Sequence, residues 1–345
     1  MTSINLTTAL RRTALGLALG LSAIAATSAA HAQTAVKFSL DWKFEGPSSP
    51  FLVAIDKGYF NAEGLDVTID TGAGSVEPLN RLAGGSYDMA FGDINSLVKF
   101  LDKNPSTKIK GVFMLYNNPP FAVVGRKSKG VNSPKDLEGK KLGAPVADGA
   151  YAQWPIFVAA NKIDASKVQV QNIGFPVREP MLITGDVDAI TGFAFSSYLN
   201  VAKNVPKGDA TVFLMAEYGV KLYGNAIMVH PKFAAEKPEA VKGFLRAFVK
   251  GLKDVVANPE AAMASVLPRN PVAKKDDELE RLNYALEKNI LTDEVKANGY
   301  GGIDNARMEV ALEQIATTYS FEKKPKVEDI FDASFLPPAT MRSVK

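Results

Sequence analysis

Apolar and polar positions along this chain alternate between two periods. Short β-branched runs at Val36–Leu40, Leu65–Ile69, Asp88–Phe91 and Ile109–Leu115 read as strands, and the segments between them carry apolar residues at helical spacing. Pro50 stands where a first helical residue would, behind Ser48 or Ser49, and the helix Pro50–Lys57 stops at Gly58. Gly72-Ala73-Gly74-Ser75 opens a second helix, and Ile94–Asp102 forms a third. Asn117-Asn118-Pro119-Pro120 then breaks the pattern. A second series follows, with strands at Phe121–Gly125, Lys141–Gly143, Val168–Asn172, Ala189–Thr191 and Thr211–Leu214. Its helices are Ala150–Asn161, Glu179–Gly185 and Ser196–Val205. After a last strand at Asn225–Val229 the chain is helical over Pro238–Ala257, Pro259–Val266, Asp277–Asn289 and Asp304–Tyr319. Strands alternating with helices predict an α/β fold.

Two such series predict two hinge-linked α/β lobes with a ligand cleft between them. The first lobe is expected over residues 33–122 and 228–345 and the second over 123–227, with the chain crossing, and hinging, near Phe121–Gly125 and Asn225–Val229. Small-molecule sites favour clefts between domains and the carboxyl ends of strands, where helix N-termini aim backbone N–H groups outward.

Composition narrows the setting. Arg11-Arg12, an apolar stretch from Ala14 to Ala26 and the small-x-small triplet Ala30-His31-Ala32 have the layout of a cleaved secretory signal peptide over residues 1–32. Its removal takes away two arginines and no acid, and so lowers the formal charge from +3 to +1. A balance so near zero gives no reason to expect nucleic acid as a partner. The sequence has no cysteine, which excludes disulfides, thiol nucleophiles, zinc–thiolate sites and a lipid-bearing cysteine after the leader. The expectation is an unanchored monomer in the periplasm. His230 is the sole histidine after the leader, and no HExxH, P-loop or Gly-x-Ser-x-Gly pattern occurs, so metal and serine-nucleophile chemistry have no foothold. No cofactor and no metal are expected.

Candidate site residues sit at strand ends and helix starts. Trp42, Pro47 and Ser48 follow the first strand; Gly74 and Ser75 open the second helix, Ser75 as ligand contact or plain cap. Asp93 and Asn95 start the third helix, where Asp93 either accepts from a ligand or caps the helix. Asn118 lies at the crossover. Asp148, Gly149, Ala150 and Tyr151 begin the first helix of the second lobe, and Phe193 ends a strand there. Trp42 and Tyr151, one from each lobe, would grip a planar ligand. Arg178 lies where cation meets helix N-terminus, an arrangement the helix dipole disfavours. A planar guanidinium in the cleft would clamp a carboxylate or sulfonate through two parallel hydrogen bonds; the alternative is a plain ion pair with Glu179 or Asp186.

Several segments, in order, carry a resemblance: Asp41-Trp42; Lys57-Gly58-Tyr59-Phe60-Asn61-Ala62-Glu63-Gly64-Leu65-Asp66-Val67; Leu82-Ala83-Gly84-Gly85-Ser86-Tyr87-Asp88-Met89-Ala90; Ser133–Lys141; Gly185-Asp186-Val187-Asp188-Ala189; and Lys237-Pro238-Glu239-Ala240-Val241. Together they resemble the periplasmic solute-binding proteins of nitrate, sulfonate, taurine and thiamine-pyrimidine-precursor importers. The resemblance implies a two-lobed periplasmic binding protein fold of type II that closes on a small-molecule ligand and docks on the permease and ATPase subunits of an ABC importer in the inner membrane. Within it the clamp at Arg178 favours an anionic sulfonate or carboxylate. The alternatives are a neutral pyrimidine precursor and a pyrimidine-synthase-like enzyme on the same fold, the last disfavoured by the absence of cysteine.

Overall fold

The computed structural model describes residues 33–344; the leader expected over residues 1–32 lies outside the described residues. Ten strands follow in order: β1 (Thr34–Ser39), β2 (Leu65–Asp70), β3 (Met89–Asp93), β4 (Lys110–Met114), β5 (Phe121–Arg126), β6 (Lys141–Ala144), β7 (Gln169–Asn172), β8 (Ala189–Phe193), β9 (Ala210–Leu214) and β10 (Asn225–Val229). They form two five-stranded sheets, β2-β1-β3-β10-β4 and β7-β6-β8-β5-β9. The two sheets share one plan. Three strands run parallel, β2-β1-β3 in one and β7-β6-β8 in the other. The strand that enters each sheet from the other lobe runs antiparallel to both neighbours: β10 between β3 and β4, and β5 between β8 and β9. Parallel strands covered on both faces need apolar residues throughout, and β3 is buried at every position.

The principal helices are α1 (Ser49–Asp56), α2 (Val76–Ala83), α3 (Ile94–Lys103), α4 (Gly149–Ala152), α5 (Trp154–Ala160), α6 (Phe175–Thr184), α7 (Leu199–Asn204), α8 (Pro238–Ala257), α9 (Lys275–Ala285), α10 (Asp293–Asn298) and α11 (Asn305–Ala316). The first sheet's core is aromatic. Phe38 of β1 meets Phe244 of α8 at 5.0 Å between centroids, and Phe51 of α1 meets Phe248 at 4.4 Å. Each of these rings is fully buried, a burial that stabilises by about 1.5–3 kcal/mol per side chain. Gly251 lets α1 and α8 come this close, since a Cβ there would run into the Pro50 carbonyl.

Local chemistry moves several boundaries. The helix expected over Ala150–Asn161 is two pieces broken at Gln153, because Pro155 lacks the N–H that would continue the first. α6 starts at Phe175 rather than Glu179, with Pro176 supplying the helical φ of its first turn. The segment starting at Ser196 is preceded by and merges with a π-helical turn, Ala194–Tyr198, before α7.

The expected hinges need a larger correction. Phe121–Gly125 and Asn225–Val229 lie in β5 and β10, each hydrogen-bonded on both edges. A strand held in two ladders cannot supply a hinge rotation. The residues that pass between sheets are 115–120 and 215–224. None of the described helices is long and apolar enough to cross a membrane.

Candidate binding cleft

The common plan of the sheets sets where the cleft lies. Its lining comes from the segments after the parallel strands of both: Asp41, Trp42, Glu45, Pro47 and Ser48 after β1, Gly74 and Ser75 after β2, Asp148 and Gly149 after β6, Phe175 and Arg178 after β7, and Phe193, Phe195 and Ser196 at the end of β8. Leu40, Phe51, Phe91 and Tyr116 form the floor, and exposed Lys43 stands beside Trp42 on the lining.

The walls are rings. Phe91 meets Tyr116 at 5.2 Å, Tyr116 meets Phe195 at 5.7 Å, and Phe195 meets Phe193 at 5.8 Å, so an aromatic seam runs from the first lobe's core across to the second. At the mouth Trp42 packs edge-on against Phe175 at 4.9 Å.

The polar side chains of this lining include three carboxyls, Asp41, Glu45 and Asp148, two cations, Lys43 and Arg178, and the hydroxyls of Ser48, Ser75 and Ser196. Asp41 is buried and accepts from Asn225 Nδ2 at 2.6 Å. Burial, offset in part by that bond and reinforced by the charges of Asp93 and Glu45, pushes its carboxyl from 3.8 up to about 7. Asp148 accepts from Thr191 Oγ1 at 2.6 Å; burial raises its pKa, and the nearby Arg178 charge opposes the rise only in part. Glu45 accepts from Trp42 Nε1 at 3.2 Å and from Ser196 Oγ at 2.9 Å.

Arg178 is the buried cation of the cleft, and it is already engaged. Its Nε and Nη2 donate to Glu179 Oε1 at 2.8 and 2.6 Å, and Ser197 Oγ donates to the same oxygen at 2.8 Å. Burial pushes the Glu179 carboxyl up, but the Arg178 charge and these bonds outweigh it and hold the group below its ordinary range. The guanidinium also lies 5.7 Å from the Trp42 ring and 5.3 Å from the Phe175 ring. Arg178 thus lines the cleft while held in a buried ion pair with its neighbour Glu179.

Of the residues singled out in the sequence, Trp42, Pro47, Ser48, Gly74, Ser75, Asp148, Gly149, Arg178 and Phe193 line the cleft. The structure does not bring Asp93, Asn95, Asn118, Ala150 or Tyr151 to its lining. The Asp93 carboxylate caps α3 through the N–H groups of Asn95 and Ser96 and takes further bonds from Ser96 Oγ and Gln153 Nε2. Asn95 donates to Asp93 and to the Tyr223 carbonyl. Asn118 is tied to Lys288 and Asn289 beside the crossover. Ala150 is fully buried, and Tyr151 packs half-buried against the core shared by α3, β5 and α5. The ring that faces Trp42 from the second lobe is Phe175. The lining residues that the sequence reading passes over include Leu40, Asp41, Lys43, Glu45, Phe51, Phe91, Tyr116, Phe175 and Ser196; the place of Asp41, Lys43, Glu45 and Phe175 just after strands is the signal that points to them.

The lobes meet directly beside the cleft. Ser75 N donates to the Ala147 carbonyl at 3.0 Å, and a Cβ on Gly74, whose φ is +94°, would lie 2.5 Å from that same oxygen. Gly74→Ala is therefore expected to pry the lobes apart as well as strain the backbone, with an increased radius of gyration in solution scattering. An unchanged radius would show that the contact does not set the spacing of the lobes.

Asp41 predicts a pH dependence. Its folded pKa of about 7 exceeds the ordinary 3.8, so between those values the folded chain keeps a proton that the unfolded chain has lost. Stability from this group is full below about pH 4 and falls as pH rises toward 7. Asp93, Asp148 and Glu278, also raised by burial, act in the same direction. Urea unfolding should show a smaller loss between about pH 5 and pH 8 in Asp41→Asn than in the parent. Parallel pH profiles would remove Asp41 as a source.

A formylaminopyrimidine-binding protein of Halalkalibacterium halodurans is 26% identical over 86% of this chain and 89% of its own length. A riboflavin-binding protein of Chloroflexus aurantiacus is 29% identical over 66% of this chain and 64% of its own. Among the other relatives is a 4-amino-5-hydroxymethyl-2-methylpyrimidine phosphate synthase of Legionella pneumophila, 28% identical over 68% of this chain and 74% of its own. In fold, the chain is similar to the alkanesulfonate-binding protein of Xanthomonas axonopodis pv. citri, with a TM-score of 0.66, 12% identity, and coverage of 88% of this chain and 99% of that one. The model of one family matches residues 47–262, which carry the cleft residues from Pro47 to Ser196: the chain belongs to the NMT1/THI5-like family and has the periplasmic binding protein fold.

Proposed function

We propose that this chain is the solute-capturing component of an ABC importer, working in the periplasm and handing its ligand to a membrane permease. Its ligand is a flat, neutral or amine-bearing nitrogen heterocycle of the aminopyrimidine class. The observation that carries this reading is the balance of the cleft: a seam of aromatic rings edged by the acceptors Asp41, Glu45 and Asp148, with its buried arginine already paired to Glu179. Rings stack on a planar heterocycle. Carboxylates accept from ring or exocyclic N–H groups. A sulfonate would find the buried cation of the lining already paired. The anionic ligand favoured by a free Arg178 thus loses its main support. The formylaminopyrimidine-binding relative, similar over most of both chains, agrees with the heterocycle.

Capture is favoured over synthesis. The chain has no cysteine, and His230 lies outside the cleft lining, where its Nδ1 accepts from Lys232 N. A thermal-shift panel tests the reading. Formylaminopyrimidine should raise the midpoint, as any ligand selective for the folded state does, and alkanesulfonates should not. The reverse ranking overturns it. Turnover of a pyrimidine precursor by the purified chain would overturn the choice of capture over synthesis.

A further inference from the structure

A partly buried cation, Arg281, stands beside the cleft wall formed by Phe195 and Ser196. Arg281 of α9 reaches over the edge of the cleft from the C-terminal helices. Its Nη1 donates to the carbonyls of Phe195 and Ser196 at 3.1 and 2.9 Å, both in the π-helical turn of the second lobe. On its own side, Nε faces Glu278 Oε1 at 3.4 Å, and Glu278 Oε2 accepts from Gly46 N at 2.7 Å at the edge of the first-lobe loop. Glu45, on that loop, accepts from Ser196 Oγ and lies 3.9 Å from the Arg281 guanidinium. One guanidinium thus joins a turn of one lobe to two carbonyls of the other. Phe195 and Ser196 also line the cleft, so whatever moves this turn moves its wall.

We propose that Arg281 is a latch that holds the lobes closed and thereby sets how long a ligand stays. A latch on backbone carbonyls is indifferent to ligand chemistry: it lengthens residence and leaves selectivity to the walls. Interface effects of this kind fall mainly on the dissociation rate. A guanidinium suits the task because its several donors lie in a fixed plane and reach two acceptors at once; lysine offers a point charge on a flexible stem.

The absence of cysteine permits a direct test. Cysteines placed at exposed Asn61 in the first lobe and exposed Lys207 in the second would carry spin labels with no competing thiol. Distance distributions are measured for the parent, Arg281→Gln and Arg281→Lys. The parent should be dominated by its shorter distance, Arg281→Gln should gain a longer one, and Arg281→Lys should fall between. A distribution in Arg281→Gln identical to the parent's overturns the latch, and a lowered thermal midpoint with unchanged distances assigns Arg281 a structural role only. If Arg281→Gln does not fold, Arg281→Lys decides alone, with the same two outcomes. A second arm follows dissociation of formylaminopyrimidine, which should be about tenfold faster in Arg281→Gln, the scale of one charge-assisted hydrogen bond. This arm rests on the proposed ligand class. Failure of the parent to bind formylaminopyrimidine counts against that class, while the distance arm still decides the latch. Binding with equal dissociation rates in parent and variant overturns the latch.

Discussion

Glu179→Gln is expected to destabilise the protein by about 3 kcal/mol, the cost of removing one partner from a buried ion pair. The side chains of Arg178 and Glu179 are only 4% and 11% exposed. Removing the carboxylate leaves a guanidinium that water reaches poorly and that one amide oxygen satisfies in part. The second consequence is functional. With Glu179 neutral, Arg178 has a charge to offer on the cleft surface between Trp42 and Phe175. The variant should bind an alkanesulfonate that the parent rejects. Urea unfolding measures the first effect and calorimetric titration the second. A variant as stable as the parent would show that the pair is effectively solvated. A parent that binds sulfonate through Arg178, and loses it in Arg178→Gln, would restore the anion clamp.

Trp42→Ala carries the second large effect. Trp42 meets Phe175 of the opposite lobe edge-on, and its indole N–H is fixed by Glu45, so the ring is held in place before any ligand arrives. A pre-positioned tryptophan at a cleft mouth is the kind of side chain whose truncation costs about 2 kcal/mol of binding, or roughly thirtyfold in affinity. The ring is only partly buried and lies outside the Phe38–Phe51–Phe248 core, so the thermal midpoint should fall little. A large loss of stability with affinity intact would make Trp42 a packing residue.

Much of this was legible in the sequence because periodicity reports burial. The order of strands and helices follows from alternating and helical apolar spacing, and the segments after strand ends did supply most of the cleft lining. The failures have physical causes. Phe121–Gly125 and Asn225–Val229 were placed at the hinges because an apolar extended run has the same pattern whether it links two sheets or runs through the middle of one. Tyr151 reads as a cleft residue because it stands at a helix start after a strand. Only Asp148 and Gly149 of that helix start reach the lining, and Tyr151 packs against the core. Asp93 carries the signature of a cap and of a ligand acceptor alike, and only its bonds to Asn95, Ser96 and Gln153 decide for the cap. For Arg178 the sequence supplied the partner, Glu179, but not the burial that turns an i,i+1 neighbour into a closed ion pair. Asp41, though visible beside Trp42, gave no sign that its carboxyl is pushed to about 7, since that comes first from burial, with the charges of distant Asp93 and nearby Glu45 adding to it against the bond from Asn225.

The central claim is that the cleft selects a planar heterocycle by stacking and by donation to carboxylates, not an anion by an arginine. Calorimetric titration of the parent with formylaminopyrimidine and with an alkanesulfonate, each at low and at high salt, tests it most directly. The account predicts saturable one-to-one binding of formylaminopyrimidine that changes little with salt, and no binding of the sulfonate. Tight sulfonate binding that weakens as salt is added, with formylaminopyrimidine inert, would contradict it.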